Sequence, residues 1–173
     1  VLKFDGDGNQ LWESIYGGAS TDVATSVTIA ADGGIYLAGL TYSFNTWRND
    51  MWVTKYAQDG QMLWSKTYGD TCGGGWEGAA NIVNTDDGGF IVGGGGSGGA
   101  VYAKADANGD FEWSDCTPGG WMHDFRRAND GGYVGFGRQP VGSMEGAIFK
   151  YDENMDLEWS RTYGDTGFDL AIG

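Results

Sequence analysis

The feature that most restricts how this chain can fold is an internal repeat. The stretch VTKYAQDGQMLWSKTYGD, from Val53 to Asp70, has three relatives in the same chain: VLKFDGDGNQLWESIYGG from Val1, YAKADANGDFEWSDCTPGG from Tyr102 and IFKYDENMDLEWSRTYGD from Ile148. Each carries a Lys, a short turn and a Trp in register, and Trp12, Trp64, Trp113 and Trp159 stand 52, 49 and 46 residues apart. Self-similarity at about 40 to 50 residues marks an array of like units that bury their apolar faces against one another. Within each copy an apolar run, a polar cluster such as Asp5-Gly6-Asp7-Gly8-Asn9 and a second apolar run follow one another, the composition of a β-hairpin.

The residues between the copies repeat as well. Asp22-Val23-Ala24 leads into the alternating Ser26-Val27-Thr28-Ile29, a half-buried strand pattern that stops at Asp32-Gly33-Gly34, and Ile35 to Leu40 returns antiparallel. The paired glycines, repeated at Asp87-Gly88-Gly89 and Asp130-Gly131-Gly132, predict two-residue hairpins with positive φ, which Gly adopts without steric cost. One unit is therefore strand, DGG turn, strand, variable connection, strand, D-x-D/N turn and Trp strand, with no helical periodicity. Four short antiparallel strands per unit describe a blade, so the predicted fold class is an all-β propeller. Blades are expected at 22–69, 76–119 and 121–164, preceded by a half blade at 1–16 and followed by the start of a further blade at 168–173. On that reading the chain is a partial propeller from a larger ring.

Antiparallel order places the DGG and D-x-D/N turns on one rim and the other connections on the opposite one. The second rim is irregular, with expected loops at Ser43–Asp50, Thr71–Glu77, Pro118–Trp121 and Arg138–Glu145, and variable loops on a rigid scaffold are where binding residues gather. The Trp strand is outermost and would present an unpaired edge. Trp12, Trp64, Trp113 and Trp159 are expected to wedge against the adjacent blade, each covering about 150–250 Å².

Composition excludes several classes. A formal charge of −14 with only 10 Lys and Arg argues against nucleic acid, whose phosphates need basic side chains. No apolar run approaches the roughly 18 residues of a membrane-spanning helix. With 33 Gly but 40% hydrophobic and 14% aromatic residues, the chain is too apolar for a disordered linker, so its glycines serve turns in a packed fold. The two cysteines, Cys72 and Cys116, are too few for a metal set and suit either a disulfide near one rim or two free thiols.

The pattern K-x-D-x-N/D-G-x-x-x-W-x-x-x-Y-G-G, followed by D-x-A-x-S and D-G-G-x-x-x-x-G, resembles the bacterial β-propeller repeats of large secreted and surface proteins. The likeness is carried best by Lys55 to Tyr68, Asp22 to Thr41, Ala103 to Trp113 and Phe149 to Asp165. The third blade departs from it, with Pro118 before the glycines and Trp121-Met122-His123-Asp124 in place of D-x-A-x. The resemblance implies a non-catalytic extracellular or cell-surface module with a structural, adhesive or filament-forming role, partnered by further copies or flanking blades. A more distant likeness, in the D-x-x-x-G-x-x-x-W spacing, is to quinoprotein propellers. Those oxidoreductases would need pyrroloquinoline quinone and calcium, whereas this chain has a single His and no vicinal cysteine pair.

Three groups remain as candidate sites. Asp5, Asp7 and Asn9 with Glu13 have the alternating oxygen spacing of a calcium loop, but the equivalent second-copy residues Ala57, Asp59 and Gln61 favour an Asx-type turn, and no cofactor is expected. His123, Asp124, Arg126 and Arg127 fall on an inner strand that would line the central channel, where they could meet an anion or neutralise one another. Trp47, Arg48, Trp76, Trp121 and Arg138 lie on the variable rim, with the residue types of interface hot spots and sugar platforms, so a protein or glycan ligand is expected there.

Overall fold

The computed structural model describes residues 1–44, 49–69, 77–96, 98–118, 120–141 and 143–163. All the described regular structure is β. A two-stranded sheet of β1 (Leu2–Phe4) and β2 (Gln10–Glu13) comes first. Three four-stranded antiparallel sheets follow, each in simple sequence order: β3 (Asp22–Ile29) to β4 (Ile35–Thr41), β5 (Asp50–Tyr56) and β6 (Met62–Tyr68); β7 (Glu77–Asn84) to β8 (Phe90–Gly96), β9 (Gly99–Ala105) and β10 (Phe111–Pro118); β11 (Trp121–Arg127) to β12 (Tyr133–Val141), β13 (Ser143–Tyr151) and β14 (Leu157–Tyr163). These are propeller blades, three complete and one represented by its outer pair. The expected segment at 168–173 lies outside the described residues.

Successive blades stack through two apolar cores. Tyr36, Ala38, Met51, Val53 and Tyr68 of the first complete blade meet Ala79, Ile82, Phe90, Val92 and Val101 of the second. Val83, Ile91, Ala100 and Tyr102 on the opposite face of the second blade meet Met122, Phe125, Ala147, Phe149 and Tyr151 of the third. The middle blade is thus buried on both faces, which is why β8 and β9 read as continuous small and apolar runs rather than alternating ones.

The D-G-G-x-x-x-x-G motif has a separate physical cause at each position. The DGG turns are not the two-residue hairpins expected from the glycine pair. Gly33 N–H donates to Ala30 O at 2.9 Å and Ala30 N–H to Gly34 O at 2.8 Å, so each is a longer turn closed by a bulge, and only its first glycine has positive φ, +79° at Gly33. The second glycine is required by contact: a Cβ on Gly34, Gly89 or Gly132 would lie 2.7, 2.3 or 2.3 Å from a carbonyl oxygen of the third strand. The last glycine faces a bulge in the inner strand. The ladders shift register at Ala24/Ser26, Ala79/Asn81 and Met122/Asp124, which presses a carbonyl to within 1.8, 2.0 and 1.7 Å of the position a Cβ would take on Gly39, Gly94 and Gly137. The Asp of the motif accepts from the second glycine's N–H and pairs with the repeat Lys: Lys55 with Asp32 at 2.7 Å, Lys104 with Asp87 at 2.5 Å and Lys150 with Asp130 at 3.1 Å. The D-x-D/N turns share the same backbone geometry, with Gly8, Gly60 and Gly109 at positive φ and Met155 (φ +67°) replacing glycine in the last copy.

The irregular rim differs from expectation at one connection. Arg138–Glu145 is not a loop, because β12 and β13 continue pairing through Gln139↔Glu145 and Pro140↔Met144 to Val141↔Ser143. β11 pairs only as far as Arg138, so beyond that point β12 is paired with β13 alone, as an edge strand where Pro is tolerated.

Candidate functional site

The repeat Trp residues dock each blade onto the next blade's D-x-D/N turn. Trp12 donates its indole N–H to Gln58 O at 3.0 Å, and Gly60 leaves the space its ring occupies, since an added Cβ would lie 2.6 Å from it. Trp64 lies equally close to Gly109, at 2.8 Å, and rests near Tyr36 and Phe90 with centroids 5.8 and 6.1 Å away. Trp113 packs against the second core, which contains Met155. Trp159 is 44% exposed, because no blade among the described residues follows it.

Among the calcium candidates, Asp5 Oδ1 accepts from the N–H groups of Asp7 and Asn9 at 2.9 and 2.8 Å, and its Oδ2 accepts from Asn9 Nδ2 at 2.9 Å. Those bonds to Asn9 and Asp7 hold the Asp5 carboxyl below its ordinary value. Asp106 and Asp152 are used by their own turns in the same way. Glu13 accepts from Gln10 Nε2 at 3.4 Å, and no group of three or more His, Cys, Asp or Glu among the described residues is placed to hold a metal ion.

The four channel candidates separate rather than converge. Arg127 makes a two-pronged pair with Asp86 of the preceding blade, at the tight-turn rim. Asp124 pairs with Arg126 at 3.1 Å and accepts from Asn81 Nδ2. Asn81 Oδ1 in turn accepts from Ser26 Oγ at 2.6 Å. Ser26, Asn81 and Asp124 occupy equivalent positions just after the three bulges, so a hydrogen-bonded ladder crosses all three blades on their inner strands.

His123 turns instead towards the irregular rim, where it joins Trp121 and Arg138. Arg138 Nε donates to His123 Nε2 at 3.1 Å, and its guanidinium lies over the Trp121 ring at 5.6 Å. Burial and the Arg138 charge lower the His123 pKa, so the ring is neutral, with Nε2 as acceptor and its proton on Nδ1. Gly95 lets Trp121 lie against β8, since a Cβ there would meet the ring at 2.9 Å. Gly95, Trp121 and His123 border a cleft of about 300 Å³ at the junction of the three blades, shared with Leu40, Tyr42, Asn49 and Gly78.

Asn49 gives that cleft its polar character. It is 4% exposed and its Nδ2 donates to Glu77 O at 3.0 Å, yet its Oδ1 accepts from no group among the described residues. A buried acceptor left without a donor costs about 1–3 kcal/mol, which a hydrogen-bond donor reaching it would recover. A larger cleft, about 650 Å³, runs along the outer strands between Tyr16, Phe44 and Phe111, but its Lys66 and Asp110 already pair with each other at 2.7 Å. Chemistry therefore favours the smaller cleft. Sequence reasoning singled out Trp121, Arg138 and His123 but as two separate sites, and it missed Tyr42 and Asn49. Trp47, Arg48 and Trp76 lie outside the described residues, as does Cys72; Cys116 is disulfide-bonded.

No protein-family profile and no curated protein matches the chain. Among solved structures it is similar to a protein of unknown function from Bacteroides caccae, with a TM-score of 0.59 and 13% sequence identity over 90% of this chain and 51% of that one. The chain thus spans about half the length of that structure, and the likeness is one of fold.

Proposed function

We propose that this chain is a non-catalytic propeller module acting outside the cell or at its surface, with a structural and adhesive role, and that its adhesive surface is the irregular rim. The observation that carries this reading is the cleft at the blade junction, where the buried Asn49, whose Oδ1 has no donor among the described residues, lines the same space as two exposed aromatic residues, Tyr42 at 39% and Trp121 at 40%. An amide acceptor, a neutral imidazole and aromatic surface together suit an uncharged, hydroxyl-rich ligand: a hydroxyl hydrogen satisfies Asn49 Oδ1 while ring C–H groups meet the aromatic surface. A glycan is the ligand class with that chemistry. The disulfide at Cys116 and the excess acidic charge support an oxidising, extracellular setting.

Glycan-array screening followed by calorimetry tests the reading. Asn49→Ala should weaken a detected sugar by roughly tenfold or more, as expected for loss of one hydrogen bond to a buried polar partner. Gly78→Val, whose added atoms enter the cleft beside Leu40 and Asn49, should abolish binding without unfolding the protein. Sugar binding that survives both changes would place the ligand elsewhere.

A further inference from the structure

The two junctions between complete blades are built from matching residues, with one telling exchange. At the first junction Tyr36 of β4 lies near the tight-turn rim and is 0% exposed. Its ring is 5.8 Å from Trp64 and 4.9 Å from Phe90, Lys55 Nζ stands over it at 5.1 Å, and its hydroxyl donates to Ala107 O at 3.2 Å. At the second junction the same position, opposite the repeat Lys in the ladder, is Ile91. Ile91 packs in the core between the second and third blades, but it has neither ring nor hydroxyl.

The four groups around Tyr36 all have counterparts there: Lys104, Trp113, Tyr133 and Glu153 match Lys55, Trp64, Phe90 and Ala107. Together they border a cleft of about 400 Å³ at the tight-turn rim. The carbonyl at the second position of the D-x-D/N turn is in use at the other junctions. Gln58 O accepts from Trp12 and Lys3, and Ala107 O accepts from Tyr36 and Lys55. Glu153 O accepts from no group among the described residues, since Lys104, the match of Lys55, bonds Asp87 and Glu112 instead. The lining carries three carboxylates, Asp86, Asp87 and Glu153, against two cations, Lys104 and Arg127, and so disfavours an anion.

We propose that this cleft is a binding site for a neutral 4-hydroxyphenyl group, supplied by a small phenol or by an exposed tyrosine of a peptide, which takes the place that Tyr36 holds at the first junction. The ring rests against Trp113 and Tyr133 beneath the Lys104 ammonium, and the hydroxyl donates to Glu153 O. The site is independent of glycan binding, because it lies on the tight-turn rim and shares no residue with the cleft on the irregular one.

Titration of the nitrogen-15-labelled chain with p-cresol, followed by NMR at the Trp113 indole and the Gly131 amide, tests the site. Both signals should shift to saturation with one p-cresol bound per chain. Toluene, which lacks the hydroxyl, should bind about fivefold to tenfold more weakly, the loss of one neutral hydrogen bond. Ile91→Tyr supplies the ring from within and should remove p-cresol binding while the circular dichroism of the fold is kept. Tyr36→Ile empties the first junction and should raise the number of p-cresol sites from one to two. A capped Gly-Tyr-Gly peptide identifies the source of the ring: binding tighter than p-cresol assigns the site to a peptide tyrosine, and weaker binding assigns it to a small phenol. The proposal is overturned by the absence of a saturable shift with p-cresol, by toluene binding as tightly as p-cresol, or by an Ile91→Tyr chain that binds p-cresol like the wild type. A folded Tyr36→Ile chain that keeps a single site would overturn it as well.

Discussion

Replacing Trp64 by Ala and comparing the loss with the same change at Trp159 isolates what inter-blade docking contributes. The two residues hold equivalent places in their blades, and each has a cation about 5.6 Å from its ring. Among the described residues only Trp64 has a blade against it, packed on the core that holds Tyr36, Phe90 and Tyr68. Truncating a buried Trp costs about 3–5 kcal/mol, and since Trp64 is partly buried the lower end, about 3 kcal/mol, applies. Trp159 is 44% exposed, and a surface change of that kind costs about 0.5 kcal/mol or less. For a domain of this size about 3 kcal/mol corresponds to a Tm lower by roughly 6–12 °C. Urea unfolding followed by far-UV circular dichroism, at protein concentrations low enough to keep the chain monomeric, measures both. If the two variants lose equal stability within about 0.5 kcal/mol, the repeat Trp acts within its own blade and the docking argument fails.

Two further outcomes follow from the turns. The carboxyls of Asp32, Asp87 and Asp130 are held low chiefly by their lysine partners, Asp87 at about 2, and Asp86 is lowered by Arg127. A folded value depressed below the unfolded 3.8 gives stability that is complete above that value and lost as pH falls through the folded one, so Tm should decline from about pH 4 to about pH 2, and a flat Tm over that window would contradict the assignment. Separately, Ala at Gly8 or at Gly109 meets the same left-handed backbone, a strain of about 1–2 kcal/mol, but at Gly109 the methyl also lies 2.8 Å from Trp64. Chemical denaturation should therefore show the Gly109 variant losing about twice as much stability as the Gly8 variant, and equal losses would mean that Trp64 yields freely.

The architecture was legible because its causes are local and repeated. A Lys two residues before a turn, a glycine at the left-handed position and a Trp four residues beyond it each answer to a contact inside one hairpin or between neighbouring hairpins, so the same residues recur wherever the contact does. Where the sequence misled, the ambiguity was in the meaning of glycine. The pair in DGG suggests two positive φ angles, yet only Gly33, Gly88 and Gly131 have them; Gly34, Gly89 and Gly132 are small because a third strand's carbonyl approaches. Composition alone cannot distinguish a backbone that must bend from one that must be approached. Pro140 similarly suggested a loop, yet it pairs with Met144 in the β12–β13 ladder, and a strand paired on one side only tolerates Pro.

The candidate site was only half legible, and for the opposite reason: it is made by positions at which the blades disagree. The residue after each inner-strand bulge is Ser26, Asn81 and Asp124, and their differing side chains are what allow one to donate and the next to accept across the channel; three identical serines could not span the same gaps with the same direction of donation. At the bulge itself stand Thr25, Ala80 and His123. Thr25 spends its hydroxyl on Ala38 O and Ala79 O, Ala80 has no polar atom to place, and His123 is left to reach the rim and meet Arg138. The small Ala80 and Gly78 of the middle blade then open the space that Tyr42 and Asn49 enter from one side and Trp121 from the other. No single copy of the repeat encodes that cleft, since its walls come from three blades and its depth from what the middle one lacks. Aligning the copies by their bulges rather than by their Trp residues brings these unlike positions into one column, and that column is where a ligand-binding function can vary while the hairpins that support it stay the same.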